Sequence, residues 1–368
     1  MNILITGSKG FIGKNLVHFI KENSSHNIIE FGKNEGLNQL KSKLLDSNFI
    51  IHLAGVNRPK ENKDFKKVNI DLTKKICEFL QENSLKTPII FSSSIQATLN
   101  NEYGISKKKA ENFLINLNKN NNNPVFIYRL PGVFGKWSKP NYNSVIATFC
   151  YNIINEKKIK IDYPDKEISL IYIDDLVKEF SNLLNCKKKG LFYFDVKTEY
   201  KISIKSIAEN IKNFHNERKK LFVDKVGSGF IRKLYSTYVS FLNEENFYYH
   251  LIQNKDQRGV FAEVIKTKNS GQISYFTAKP GISRGGHYHN TKTEKFIVIH
   301  GKARFDFKNL ITGKTIEIFA DCQNPIIVDT IPGWIHKITN IGLEELKVIL
   351  WSNEVFDKNT PDTYQKEV

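Results

Sequence analysis

A chain of 368 residues exceeds one ordinary domain, so two domains are expected. Its 40% hydrophobic and 25% charged content is that of a soluble globular protein, and without a run of 18 apolar residues no membrane partner is expected. The formal charge of +17 raises nucleic acid as a partner, but the lysines are spread along the chain among asparagine tracts such as LNKNNNNP (117–124), the mark of a general compositional bias.

No nucleic-acid partner is therefore expected, and the basic surface suits an anionic substrate such as a nucleotide diphosphate. Cys77, Cys150, Cys186 and Cys322 are scattered with no CxxC, which fits reduced thiols in a cytoplasm. A strand beginning by the third residue leaves no room for a signal peptide, so a cytoplasmic location is expected.

Up to about residue 215, short apolar runs alternate with helical patterns. NILITG (2–7), NIIEF (27–31), FIIHLAG (49–55), PIIFSSS (88–94) and VFIYRL (125–130) read as buried parallel strands, with amphipathic stretches such as KNLVHFIKEN (14–23) between them. This alternation predicts an α/β, doubly wound parallel sheet. After about residue 245 the helical patterns vanish and strand-like runs such as KFIVIHGKARFDF and ELKVILW take over, predicting a small all-β barrel or sandwich. The expected domains are 1–245 and 246–368, connected by KVGSGFIRKLYSTYVSFLNEENFYY (225–249).

TGSKGFIG (6–13) follows the first strand and opens the first helix. Gly7 permits a tight turn, Gly10 lets the backbone approach a pyrophosphate, and Gly13 allows close helix packing. At the end of the second strand, EFGKNE (30–35) places Lys33 where a 2′-phosphate would sit, which favours NADPH over NADH. Further on, Tyr103 and Lys107 form YxxxK and share one helical face. A lysine there is expected to lower the phenol pKa of a proton donor, while a serine from the preceding strand binds the carbonyl being reduced.

With HLAG (52–55), SSS (92–94) and RLPGVFG (129–135), these motifs resemble an extended short-chain dehydrogenase/reductase acting on nucleotide sugars. The resemblance implies a catalytic set of Ser94, Tyr103 and Lys107, with Ser93 the competing serine. It implies cofactor contacts from Gly7, Lys9, Gly10, Phe11, Ile12, Gly13, Lys33, Leu53, Ala54, Gly55, Tyr103 and Lys107. NYNSVIATF (141–149) resembles the substrate-nucleotide contacts, with Asn143 as the candidate. One departure is that only eight residues separate Ser94 from Tyr103, so the substrate-facing loop is trimmed.

In GISRGGHYHNTKTEKFIVIHG (281–301), His287 and His289 are two apart and share a strand face, and Glu294 returns on the next strand. His336 in PGWIHKITN (332–340) supplies a third imidazole from another strand. Three imidazoles and a carboxylate make a site for Zn²⁺, Fe²⁺, Mn²⁺ or Ni²⁺. This pattern, closed by Gly281 and Gly301, resembles the cupin family, apart from Pro332 directly preceding Gly333. The cupin β-barrel is therefore the expected second fold. SRGGHYH (283–289) and DQRGVFAEV (256–264) also resemble the sugar-nucleotide 3,5-epimerases, which implies His287 as a general base and Arg258 and Arg284 as substrate contacts. His287 is thus a ligand by one resemblance and a base by the other.

The two sites have chemistries that belong together. In a 4-keto sugar nucleotide the C3 proton is acidic, because it lies α to the carbonyl that a reductase consumes, so epimerisation must precede reduction. End to end, the chain resembles the bifunctional capsule-biosynthesis enzymes of the CapF/WbjC type, through VNRP (56–59), SSSIQAT (92–98), GKWSKPNYNSVIATFCY (135–151), KLYSTY (233–238) and PDTY (361–364). That resemblance implies C3 epimerisation of a UDP-2-acetamido-2,6-dideoxy-hex-4-ulose in the cupin. NADPH reduction at C4 then gives the L-talose sugar on the route to UDP-N-acetyl-L-fucosamine. It also implies a homodimer and zinc in the cupin. Rival readings are a monofunctional 4-ketoreductase with a structural, metal-binding cupin for dimerisation, and a non-catalytic redox sensor.

Overall fold

The computed structural model describes residues 1–59, 61, 63–223, 225–251, 254–256, 259–261, 265, 271–354 and 359–368. Along the chain, β1 (Asn2–Thr6), α1 (Phe11–Asn23), β2 (Asn27–Phe31), α2 (Leu37–Leu45) and β3 (Phe49–His52) lead through a π-helical turn (Phe65–Asp71) into α3 (Leu72–Glu82). Next come β4 (Ile89–Ser94), a 3-10 turn (Ile95–Thr98), α4 (Glu102–Asn121), β5 (Val125–Leu130), β6 (Gly132–Phe134) and α5 (Val145–Ile154). They are followed by β7 (Glu167–Tyr172), α6 (Ile173–Leu183), β8 (Leu191–Phe194), β9 (Tyr200–Ser203), α7 (Ile204–Lys219) and α8 (Gly229–Val239).

From there the described regular elements are nearly all strands: β10 (Tyr248–His250), β11 (Asn254–Asp256), β12 (Gly259–Phe261), β13 (Gln272–Ala278), β14 (Ser283–Tyr288) and β15 (Glu294–His300). The rest are β16 (Lys302–Asn309), β17 (Thr315–Asp321), β18 (Ile326–Asp329), β19 (Trp334–Asn340), β20 (Leu346–Ser352) and β21 (Tyr364–Gln365). No helix among the described residues is long and apolar enough to cross a membrane.

Met1–Phe134, Asn141–Ser144 and Glu167–Ile202 form one compact unit; Gly135–Pro140, Val145–Lys166 and Ser203–Val368 form the other. The units interleave along the chain, and α7 and α8 group with the strands that follow them.

The first unit is built on a six-stranded sheet of order β2-β1-β3-β4-β5-β8, parallel throughout. Strand order reverses between β1 and β3, the position at which open α/β sheets leave a crevice for a ligand. Burial on both faces explains why β3 and β4 read as unbroken runs: all residues of FIIH and IIFSSS are buried. On one face Leu40 and Leu44 of α2, Ile76 and Leu80 of α3, and Leu114 of α4 pack on Leu4, Ile50, Ile89 and Ile127. Each such side chain contributes about 1.5–3 kcal/mol by leaving water.

In the second unit two five-stranded sheets form, of order β10-β18-β15-β20-β13 and β17-β16-β19-β14-β21. Their described ladders are antiparallel. The two sheets meet through apolar side chains such as Phe296 of β15 and Phe305 of β16, whose ring centroids are 5.9 Å apart. This is the barrel architecture expected of a cupin.

Candidate active site and metal centre

At the end of β1, Gly7 turns the chain with φ of +70°. A Cβ there would lie 2.8 Å from the Ala54 amide nitrogen, and one on Gly13 would lie 2.2 Å from the Gly7 carbonyl oxygen. Only glycine lets the turn, the helix and the 53–55 loop pack backbone to backbone. Gly10 caps α1, and Phe11 and Ile12 form its first turn, so the N–H groups and the positive helix end lie at the carboxyl end of β1. Leu53, Ala54 and Gly55 are drawn to the same point by Leu53 N–H to Thr6 O (3.2 Å) and Ala54 N–H to Thr6 Oγ1 (3.1 Å). This cradle fits a dinucleotide pyrophosphate. Lys33 is exposed on the turn after β2. Nearby, Glu35 accepts from Gly32 N–H (2.7 Å) and pairs with Lys43, while Glu30 faces Lys21 at 3.7 Å.

Ser94 ends β4 and hydrogen-bonds the Tyr103 phenol. Ser93 faces elsewhere, donating to Glu111 Oε1 at 2.6 Å, so alternation along the strand separates the two candidate serines. The eight-residue trimmed connection is a single 3-10 turn tucked under α4. A Cβ on Gly104 would lie 2.1 Å from Gln96 O, so glycine is needed beside Tyr103. Asn101 caps α4 by accepting from Gly104 N–H at 2.8 Å.

The phenol pKa differs from expectation. Burial raises it, outweighing the lowering hydrogen bond with Ser94, and Tyr142 adds a further raising influence. Lys107 is itself buried, which lowers it to about 8 against the charge of Glu111, and its Nζ donates to Ser92 O at 2.7 Å. In a protein interior desolvation dominates both groups, and it leaves Tyr103 a protonated phenol at neutral pH.

Sequence reasoning missed the buried polar groups behind this site. His52 bridges Thr6 Oγ1 (2.6 Å) and Thr73 Oγ1 (2.9 Å), and Thr73 donates to Asn69 O (2.9 Å). Asn69 pairs with both backbone groups of Val56 (2.8 and 2.9 Å) and donates to Ser106 Oγ (2.9 Å). Ser106 in turn donates to Tyr103 O at 2.7 Å. The chain of bonds ties the strand before the glycine loop to the helix carrying Tyr103. The alternation in VNIDLT gave no sign of it, since an asparagine in a helix normally faces water.

In the second unit, ligand atoms of His287, His289, Glu294 and His336 all lie within 4.8 Å of one another. Gly285 (φ +98°) and Gly286 (φ +71°) bulge β14 opposite β19, where His287 pairs with His336. His289 lies just beyond the end of β14, not on it, yet its ring centroid is 5.0 Å from that of His287. Its Nδ1 donates to Asp362 O at 2.5 Å, leaving Nε2 facing Glu294 Oε2 at 3.1 Å. His336 Nε2 is 3.5 Å from the same oxygen, and neither ring nitrogen of this buried residue makes a hydrogen bond of ordinary geometry.

Burial raises the Glu294 pKa, but His289 and His336 together hold it well below the usual value. Burial, reinforced by the two other histidines, pushes His287 down to about 3. Three imidazoles around a carboxylate, with both ring nitrogens of His336 orphaned, fit a divalent cation. Beside them is a cavity of about 200 Å³ walled by Phe276, Phe296, Phe305, Phe307 and Leu350, with Arg284 and Lys337 among its lining residues. Arg284 is exposed and donates to Thr277 O at 2.8 Å. Asn143 lies exposed on the 141–144 turn of the first unit, next to Tyr142. Arg258 lies outside the described residues.

Residues 3–191 match the NAD dependent epimerase/dehydratase family, and residues 254–364 match the polysaccharide biosynthesis C-terminal domain. The chain belongs to the NAD dependent epimerase/dehydratase family. Within it, the chain is 47% identical over 364 residues, 99% of its own length and 98% of the relative's, to the UDP-2-acetamido-2,6-beta-L-arabino-hexul-4-ose reductase of Pseudomonas aeruginosa. It is also similar to the capsular polysaccharide assembling protein CapF of Staphylococcus aureus, with 41% identity, a TM-score of 0.68 and full coverage of both chains. A UDP-glucuronic acid 4-epimerase structure from Bacillus cereus shares the fold of the family's nucleotide-binding part, with a TM-score of 0.53 at 20% identity over 59% of this chain and 85% of that one.

Proposed function

We propose that the chain is a bifunctional nucleotide-sugar enzyme that epimerises C3 of a UDP-2-acetamido-2,6-dideoxy-hex-4-ulose and then reduces its C4 ketone. The product is UDP-2-acetamido-2,6-dideoxy-L-talose, a precursor for capsule or O-antigen polysaccharide. The observation carrying this reading is the pairing of two complete constellations in one chain, Ser94–Tyr103–Lys107 and His287–His289–Glu294–His336, in a relative of a UDP-hexulose reductase.

In the first unit, bound NADPH supplies the hydride. The Gly7–Gly13 turn and the start of α1 hold its pyrophosphate through backbone N–H groups. Exposed Lys33 receives the 2′-phosphate, while Glu35 and Glu30, already engaged with Lys43 and Lys21, do not compete for the ribose. Ser94 Oγ orients the C4 carbonyl, and Tyr103, kept protonated by burial, gives its phenolic proton to the oxygen as the C4–H bond forms. Lys107 stands one turn from Tyr103 to hold the ribose and replenish the proton.

In the second unit, His287, His289, Glu294 and His336 would hold a divalent cation, Zn²⁺ being the best match to three imidazoles and a carboxylate. Such a cation would supply positive charge to polarise the substrate carbonyl. The apolar walls of the cavity exclude water from the sugar, and Arg284, with Arg258 as its proposed companion, binds the diphosphate. The C3 proton passes to a base that exchanges with solvent, His287 being the candidate when it holds no ion; the electron pair is shared with the C4 oxygen until a proton delivered to the other face inverts the centre. The active form is proposed to be a homodimer.

The test is incubation with the UDP-4-keto sugar in D₂O, with and without NADPH, following C3–H by NMR. Exchange without NADPH, then a reduced product on its addition, is the expected result. Reduction with no solvent deuterium at C3 in any condition refutes the epimerase half and leaves a monofunctional ketoreductase.

A further inference from the structure

The histidine-bearing loop of the second unit is held from outside by one short stretch of chain. Asp362 uses its backbone and its side chain separately. Its carbonyl accepts from His289 Nδ1 at 2.5 Å, which fixes the ring and its tautomer with Nε2 toward Glu294. Its carboxylate accepts from the N–H groups of Asn290 (3.0 Å), Thr291 (2.6 Å) and Lys292 (2.7 Å), and from Thr291 Oγ1 (2.8 Å). Four donors on one carboxylate turn the 290–292 backbone into an anion nest and set the path from His289 to Glu294.

Two residues further on, β21 pairs with β14 at His287 and Tyr288, and the Tyr364 ring stacks on Tyr288 at 5.2 Å. On the other side α8 presents Arg232 and Ser236, one turn apart on one face. Arg232 donates to Thr291 Oγ1 (2.6 Å), pairs with Glu354 (2.5 Å) and lies 3.8 Å from Asp362. Ser236 donates to Asn290 O at 3.2 Å.

We propose that Asp362 is the positioning residue of the metal centre: its carbonyl orients His289 and its carboxylate shapes the 290–292 turn, so that His289 and Glu294 converge before any ion arrives. The proposal rests on the reading of the four-residue cluster as a cation site. Asp362 is not among the residues lining the cavity; it acts through the ligands.

The test measures Zn²⁺ affinity of the full chain by chelator competition and records the visible spectrum of the Co²⁺-loaded protein, which reports ligand geometry. Asp362→Ala is expected to weaken Zn²⁺ binding by about 10–100-fold and to shift the Co²⁺ bands. Both variants keep the backbone carbonyl; Asp362→Asn also keeps one side-chain acceptor oxygen, is expected to weaken binding less and keeps the test open if the alanine variant does not fold. Both variants should bind NADPH as the unsubstituted chain does.

Unsubstituted affinity and an unshifted Co²⁺ spectrum in the asparagine variant, or in both, overturn the assignment, even if the melting temperature falls. A separate outcome, no Zn²⁺ or Co²⁺ uptake by the unsubstituted chain, overturns the cation reading itself.

Discussion

In the first unit the candidate groups stand at strand ends and on one helix, each held by backbone and side-chain hydrogen bonds: Ser94 on Tyr103, Lys107 on Ser92 O, Asn69 on Val56 and Ser106. In the second unit four groups from β14, β15, β19 and the loop after β14 face mainly one another, and neither ring nitrogen of His336 makes a hydrogen bond of ordinary geometry. The contrast teaches that one site is complete as a polypeptide and the other is arranged for a charge that the polypeptide does not supply. Both should keep their shape without ligands, the first through its own hydrogen bonds and the second through the Asp362 contacts, while the second should gain stability from a bound cation.

The sharpest way to separate the two is Tyr103→Phe. Losing the phenolic proton donor should lower the reduction rate by about 10²–10⁴-fold while C3 exchange in D₂O continues, as read by NADPH oxidation and NMR. Loss of both activities together would break the division of labour. Glu294→Gln makes the reciprocal cut. Removing one of four ligands should cost more than the roughly 10–100-fold typical of an outer partner, abolish the Zn²⁺-dependent rise in melting temperature, and leave NADPH binding intact.

A smaller effect tests the cost of burying a cation in the first unit. Burial holds Lys107 at about 8 when folded, below the ordinary 10.5 of a lysine, so between these values the unfolded chain binds more protons and stability rises with pH. Lys107→Met should abolish reduction, flatten that rise in denaturant titrations and stabilise the chain near neutral pH by at most about 3 kcal/mol. The mildest prediction concerns Lys33. Replacing it by serine should raise the KM for NADPH about fivefold with little change for NADH, because one exposed contact to a 2′-phosphate is worth roughly 1 kcal/mol.

The strands of the first sheet were legible because a sheet covered on both faces leaves continuous apolar runs, and the glycine turn because backbone contacts at Gly7 and Gly13 admit no side chain. The four-residue cluster was legible from two histidines two apart, a glutamate and a distant third histidine, although only the fold brings β14, β15 and β19 together. What was hidden shares one feature. Asn69, Glu111, Tyr142 and Asp362 lie far in sequence from the groups they act on, so no local spacing announces them.

The upward shift of the Tyr103 phenol was hidden for the same reason. A tyrosine and a lysine one turn apart suggest a lowered pKa, whereas the burial of both is decided by what packs over α4. The sequence by itself determined the α/β and all-β architectures, the glycine turn and the residue types of both sites, because periodicity, steric exclusion and ligand chemistry are local properties. Only the tertiary structure decided which serine meets Tyr103, which way His289 points and what Asp362 holds. Those outcomes depend on strand alternation, bulges and hydrogen bonds closed across dozens of residues, where desolvation sets the energies.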